Sequence, residues 1–405
     1  MDELKIERLI DSCEKKLKNS FETIEKTALF NQEKVLDAFV ENRIALRHFN
    51  GTTGYGYDDI GRDTLKKVYA SVFHAQAAVI TPHIVSGTHA ISLALYALLR
   101  RGDRVLSVTG LPYDTLRGVI SGGDTSLKAC GVEFTYVGLK GKDFDHEKIR
   151  SFDLSDYAMI YVQRSRGYDS RAVVSIEKMR DLFADLRKNG YNGIIMVDNC
   201  YGEFVDINEP TDVGANVIAG SLIKNPGGGI TPTGGYVAGD KELIDRVEAR
   251  LTCPSIAAEV GSYAYGYQYY YQGLFIAPHV VSQALKGNML FGACMAELGY
   301  ITEPAAYELP NDATRSIILG DEDKLVKFIQ AIQSASPVDS YLTLVPWDMP
   351  GYDNKVVMAS GSFVQGSSIE LSADAPIKPP YTAFLQGGLT YEHCKIALKR
   401  VLKNL

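Results

Sequence analysis

Along the first 50 residues apolar and charged positions repeat at the three- and four-residue spacing of a helix, as in LIDSCEKKL and KVLDAFVENRI. Residues 1–50 therefore read as an N-terminal helical arm. A glycine- and tyrosine-rich loop, GTTGYGYDDIGRD, leads into another amphipathic helix, TLKKVYASVF. The pattern then changes. Short apolar runs recur as AAVIT (77–81), RVLSV (104–108), EFTYV (133–137), AMIYV (158–162), GIIMV (193–197) and NVIAG (216–220). Helical stretches such as THAISLALYALLRR and SIEKMRDLFADLRKN lie between several of them. Near-continuous apolar strands alternating with helices predict a mostly parallel α/β sheet covered on both faces. In such folds ligands gather at the C-terminal ends of the strands.

Past residue 240 the pattern changes again. The tyrosine-rich SYAYGYQYYYQGLF precedes a helix-like SQALKGNMLFGACMAELGY. Short strands are expected at YLTLVP, KVVMAS and SSIELS, and a closing helix at TYEHCKIALKRVLKNL. With 405 residues two domains are expected. Residues 51–275 would form a large α/β domain and residues 276–405 a smaller α+β domain.

Composition narrows the partners. A net charge of −7 argues against a broad nucleic-acid surface. No run nears the roughly 18 apolar residues of a membrane span. The charged, helix-patterned start, MDELKIERLIDSCEKKLKN, is unlike a signal peptide, so a cytoplasmic location is expected. The six cysteines show no C-x-x-C pair and the seven histidines no ligand spacing. Reduced thiols and no metal site are the expectation.

Candidate chemistry sits at three predicted strand ends. In IVSGTHAISLAL, Ser86, Gly87 and Thr88 open a helix after a strand. Free N–H groups and the positive helix end suit a phosphate there, although the same residues make an ordinary cap. In IIMVDNCYGEF an apolar strand runs into Asp198, which either caps a turn or meets a buried partner. In AGSLIKNPGGG, Lys224 stands 26 residues further on, at the end of the next predicted strand. Alone it is a loop lysine. Together the three fit pyridoxal 5′-phosphate, which needs a lysine for its Schiff base, a carboxylate on its ring nitrogen and an anion cradle. The lysine must lose its proton, against a usual pKa of about 10.4, and burial or a nearby cation favours that loss.

The order SGTHA, PYDTL, VDNCYGEF and SLIKNPGGG resembles the aluminium-resistance, methionine γ-lyase-like family. These pyridoxal-phosphate enzymes of Cys/Met metabolism are related to cystathionine β-lyase and share fold type I. The resemblance implies a seven-stranded, mostly parallel sheet with flanking helices and a smaller C-terminal α+β domain. It implies that Lys224 forms the Schiff base and shuttles a proton at the substrate Cα, and that Asp198 holds the ring N–H. Gly87, Thr88 and Ser221 would bind the phosphate. Tyr113 would stack on the cofactor and assist the leaving group as an acid. Tyr55 and Tyr57 would reach a neighbouring subunit's site, making the protein a homodimer or homotetramer with shared sites. The Tyr263–Tyr271 run suits either such an interface or internal packing.

Two departures from the family pattern stand out. The arginine expected two residues after the shared-site tyrosine is missing, since Asp58 and Asp59 follow Tyr57 and the nearest arginine is Arg62. PPYTAFLQGGLT also lacks the arginine with which cystathionine lyases bind the substrate carboxylate. Arg164, Arg166 and Lys378 are the candidates for that task; each also reads as a surface charge. The reaction implied is elimination of a thiol from an amino-acid substrate of the cystathionine or methionine type. The same Lys/Asp pair also serves aldol cleavage, decarboxylation and transamination, and a non-catalytic pyridoxal-phosphate protein stays open at this stage.

Overall fold

The computed structural model describes residues 1–349 and 354–405. The early apolar runs form one seven-stranded sheet: β1 Ala77–Thr81, β2 Arg104–Ser107, β3 Glu133–Tyr136, β4 Met159–Gln163, β5 Ile194–Asp198, β6 Val217–Ser221 and β7 Gly235–Gly239. Their order is β1-β7-β6-β5-β4-β2-β3. Strands β3, β2, β4, β5 and β6 are parallel, and β7 lies antiparallel between β6 and β1. All six strands expected from the sequence are present within a residue of their bounds. The seventh, GYVAG, escapes the pattern because its two glycines leave only Tyr236, Val237 and Ala238 as an apolar signal.

Burial explains why these strands do not alternate. Every residue of β4, β6 and β7 is buried, and the sheet separates two apolar cores. Ile195 and Val197 of β5 face one core and Met196 the other; Ile218 and its neighbours Val217 and Ala219 divide in the same way. Helices α1 Glu3–Glu41, α2 Ile60–Val72, α3 Gly87–Leu98, α4 Asp114–Ser121, α5 His146–Arg150, α6 Ile176–Lys188 and α7 Lys241–Leu251 accompany the sheet. Helices α3, α4 and α7 cover one core, and α2 and α6 the other.

Helix α8, Gln268–Glu297, begins inside the tyrosine run and packs along α1. The expected boundary at 275/276 falls within it. Beyond lies a five-stranded antiparallel sheet: β8 Ile301–Glu303, β9 Thr314–Ile318, β10 Val356–Ala359, β11 Ser372–Pro376 and β12 Thr382–Gln386, in the order β10-β11-β12-β9-β8. Helices α9 Glu322–Ala335 and α10 Tyr391–Asn404 complete the chain.

The second sheet corrects two expectations. KVVMAS supplies β10, but YLTLVP is in no strand: Tyr341, Leu342 and Val345 are exposed. SSIELS contributes only Ser372, the first residue of β11. Ahead of it Glu370 accepts the N–H groups of Phe363 and Val364, both at 2.9 Å, and holds this stretch as a loop. Among the described residues no helix is long and apolar enough to cross a membrane.

Candidate active site

Adjacent parallel strands carry the central residues outward together. Asp198 ends β5, paired in register with Gln163 of β4 and Ala219 of β6. Ser221 ends β6, and Lys224 follows in a turn whose N–H returns to the Ser221 carbonyl at 3.4 Å. Gly227 must be a glycine, because a Cβ there would run into the Leu222 carbonyl. Gly87, Thr88, Tyr113, Asp198, Ser221 and Lys224 line one cavity of about 660 Å³.

The cradle for an anion lies at the start of α3. Ser86 caps the helix, its Oγ accepting the His89 N–H at 3.0 Å. That leaves the earlier N–H groups of Gly87 and Thr88 in the unpaired first turn, at the positive end of the helix. A Cβ on Gly87 would come within 3.2 Å of both Cys200 Sγ and the Ser221 Cβ, a tight contact that glycine avoids. Thr88 Oγ1 meets the Tyr113 hydroxyl at 2.9 Å, and the Tyr113 N–H donates to Gln163 Oε1 at 3.0 Å. Tyr113 is thereby fixed at the cavity wall.

Asp198 is 4% exposed and its Oδ1 accepts the Cys200 N–H at 3.1 Å. Burial raises its carboxyl above the usual range, while Lys224 pulls it back. At Lys224 burial works against the ammonium, but the facing Cys200, Tyr201, Asp198 and Tyr113 outweigh it, and the pKa lies above the usual lysine value. The thiol and both phenols are themselves pushed up, chiefly by burial. Of these facing groups only Asp198 is a carboxyl, and Lys224 favours its ionised form. The chain's own groups do not supply the depression of the lysine pKa that the sequence reading invoked. A lysine beside a carboxylate, with an anion cradle nearby, still matches the three needs of pyridoxal phosphate.

The carboxylate candidates separate. Arg164 does not line the cavity and is corrected to a structural role. Its Nη1 donates to Asn199 Oδ1 at 2.9 Å and to the Gly202 carbonyl at 2.8 Å, beside a buried Glu209 at 3.9 Å. It thus braces the turn that follows Asp198. Arg166 does line the cavity, although its Nη2 donates to the Glu303 carbonyl at 2.7 Å and its Nη1 to Ser316 Oγ at 3.3 Å. Lys378 lines it from an exposed position. Tyr55 and Tyr57 lie outside the cavity of their own chain; they are 71% and 62% exposed, with ring centroids 5.6 Å apart.

Several cavity residues escaped the sequence reading. Cys200 and Tyr201 were within reach of it, since they stand two and three residues past Asp198 in VDNCYGEF. Asp374 of β11 was not: it accepts from the Tyr168 hydroxyl at 2.8 Å and Gln386 Nε2 at 2.7 Å, and burial pushes its carboxyl up to about 6. Antiparallel pairing brings it there from far along the chain, and no local motif marks it.

Comparison with known proteins places this geometry. The family model for methionine gamma-lyase matches residues 6–405. The chain belongs to the methionine γ-lyase family. It is 44% identical over 387 residues to the uncharacterised protein YnbB of Bacillus subtilis, covering 94% of this chain and 92% of that protein. A solved carbon–sulfur lyase involved in aluminium resistance from Clostridium novyi is 44% identical, with a TM-score of 0.93 over 98% of this chain and 95% of that one. A Listeria innocua structure, provisionally described as a cystathionine β-lyase involved in aluminium resistance, is 46% identical with a TM-score of 0.96 over both full chains. The family it belongs to is one of pyridoxal-phosphate-dependent lyases, and solved pyridoxal-phosphate proteins at 16–17% identity share its fold.

Proposed function

We propose that the protein is a carbon–sulfur lyase that eliminates a thiol from a sulfur amino acid of the cystathionine or methionine type. The observation that carries this reading is the convergence of Lys224 and Asp198 on one cavity beside the glycine-opened start of α3. Bound there, pyridoxal phosphate supplies the electron sink that stabilises negative charge at the substrate Cα. Lys224 is assigned covalent attachment of the cofactor and, once free, transfer of the Cα proton through Nζ. Asp198 would keep a proton on the ring nitrogen. The N–H groups of Gly87 and Thr88 and the Ser221 hydroxyl would hold the phosphate, and Tyr113 would stack on the ring.

Arg166 and Lys378 are the cations assigned to the substrate carboxylate, Arg166 from the cavity wall and Lys378 from the rim. In the elimination the C–S bond breaks and the sulfur leaves as a thiol with a proton. Water then hydrolyses the unsaturated amine to ammonia and a 2-oxo acid. A single deprotonation at Cα suffices for β-elimination, whereas γ-elimination needs a second one at Cβ. The reading also includes a dimer or tetramer in which the Tyr55–Tyr57 loop completes a neighbour's site.

The test uses purified protein with added pyridoxal phosphate, beside Lys224→Ala. A borohydride-sensitive visible band in the wild type alone, with 2-oxo acid released from at least one of a panel of sulfur amino acids, is the expected result. Carbon dioxide or an aldehyde as product would move the assignment to decarboxylation or aldol cleavage. A cofactor band without oxo acid from any member of the panel would sink the elimination reading.

A further inference from the structure

Tyr201 stands three residues past Asp198 in the left-handed region, with φ of 70°, where a bulky L-residue is an outlier. Two hydrogen bonds hold its carbonyl. Asn225 Nδ2 donates at 2.9 Å and the Ala313 N–H at 3.1 Å. Asn225 is the residue after Lys224, and Ala313 immediately precedes β9, so Tyr201 is tied both to the lysine's own turn and to the second sheet. Backbone strain of this kind persists only where the surroundings over-determine it, and it concentrates at functional sites. Here it presents the phenol ring face-on to Lys224, whose Nζ lies 3.9 Å from the ring centroid. Among the described residues no acceptor hydrogen-bonds that Nζ.

We propose that Tyr201 is a positioning residue whose aromatic face, rather than its hydroxyl, seats the free side chain of Lys224 in its ammonium form. The inference rests on the assignment of Lys224 as the residue that transfers the Cα proton. An aromatic face attracts an ammonium through the ring quadrupole and gives a neutral amine no comparable gain. The seat therefore favours Lys224 at the moment it carries a proton, and fixes Nζ at the cavity wall between removal and return of that proton. The other titratable groups that act on Lys224 are Asp198, Cys200 and Glu203 from the end of β5 and the turn after it, and Tyr113 from the start of α4. All four are retained in the variants below, so a change can be traced to the ring.

Two readouts on the full-length chain test this, using Tyr201→Phe and Tyr201→Leu. The first is the pH dependence of Lys224 acetylation by acetic anhydride in the cofactor-free protein, followed on its peptide by mass spectrometry; it needs no turnover. The second is the pH profile of kcat in the holoenzyme, with any sulfur amino acid that yields oxo acid. Tyr201→Phe is expected to keep both midpoints. Tyr201→Leu is expected to move both down by about 0.4 to 1.5 pH units, the span from an exposed to a desolvated cation–aromatic contact. If the leucine variant does not fold, Tyr201→Asn is a ring-free replacement suited to the left-handed backbone, with the same shift expected. An unshifted acetylation midpoint in the ring-free variant overturns the proposal, and so does an equal shift in the phenylalanine variant. Absence of oxo acid with a shifted acetylation midpoint would count against the lyase reading alone.

Discussion

Glu203 lies under the site with no exposed surface. One oxygen accepts the Tyr236 hydroxyl at 2.8 Å, and the other has no partner among the described residues. Burial pushes its carboxyl up to about 8, from an ordinary value of 4.5. A carboxyl raised on folding contributes its full stability below its unfolded pKa, and the contribution is lost as pH climbs through the folded value. The window is therefore pH 4.5 to 8. At about 1.4 kcal/mol per unit, the loss amounts to about 5 kcal/mol at most. Glu203→Gln should remove this dependence, so the variant gains on the wild type between pH 5 and pH 8.5. Urea midpoints at the two pH values check it; parallel curves would mean that Glu203 does not titrate in this window. At this scale the sequence was legible where a polar residue ended an apolar run, as with Asp198 and Lys224, which line the cavity; Ser221 came only with the family resemblance. Glu203 gave no such signal, because its burial depends on Tyr236 from the antiparallel β7. Arg164 misled for a similar reason: the turn it braces becomes visible only once β4 and β5 are side by side.

Elements repeat the lesson on a larger scale. The parallel strands announce themselves because both faces are covered and nearly every position is apolar. The second sheet does not, since strands such as TRSII and SADAP mix polar and apolar residues and find their partners across long stretches of chain. YLTLVP carries the better strand pattern and remains outside the sheet, exposed. The start of α3 is where an element's termination bears directly on the site. Gly87→Ala should leave the helix nearly intact, because alanine is a good helix former. The added methyl would press on Cys200 and Ser221 at 3.2 Å and narrow the anion cradle. Pyridoxal phosphate affinity is expected to fall about tenfold, equivalent to about 1.4 kcal/mol, with the urea midpoint scarcely changed. Absorbance titration of the cofactor into both proteins measures this. Equal affinities would remove Gly87 from the phosphate assignment.

For the whole molecule the open question is what meets its exposed aromatic surface. The Tyr263–Tyr271 run divides: Tyr267, Tyr270 and Tyr271 are buried, whereas Tyr265 and Tyr269 are 88% and 55% exposed. Tyr55 and Tyr57 project from a loop stiffened by Arg62, whose Nη1 donates to the Gly56 carbonyl at 3.0 Å. That loop is bonded to the tyrosine-rich segment: the Gly261 N–H donates to the Tyr55 carbonyl at 3.0 Å, and Ser262 Oγ to the Gly54 carbonyl at 2.7 Å. A stiff loop bearing two outward tyrosines suits insertion into a second copy better than contact with water. If it completes the partner's site, neither Lys224→Ala nor the double variant Tyr55→Ala with Tyr57→Ala should turn over alone. A hybrid dimer of the two holds one site with an intact lysine facing intact tyrosines from its partner. Random reassortment makes half the dimers hybrid, with one working site in two, so about a quarter of wild-type activity should return. Mixing the variants under mild denaturant and removing it provides the test, with light scattering to confirm the oligomer. Activity no higher than the mean of the two parents would show that the loop serves no neighbour's site.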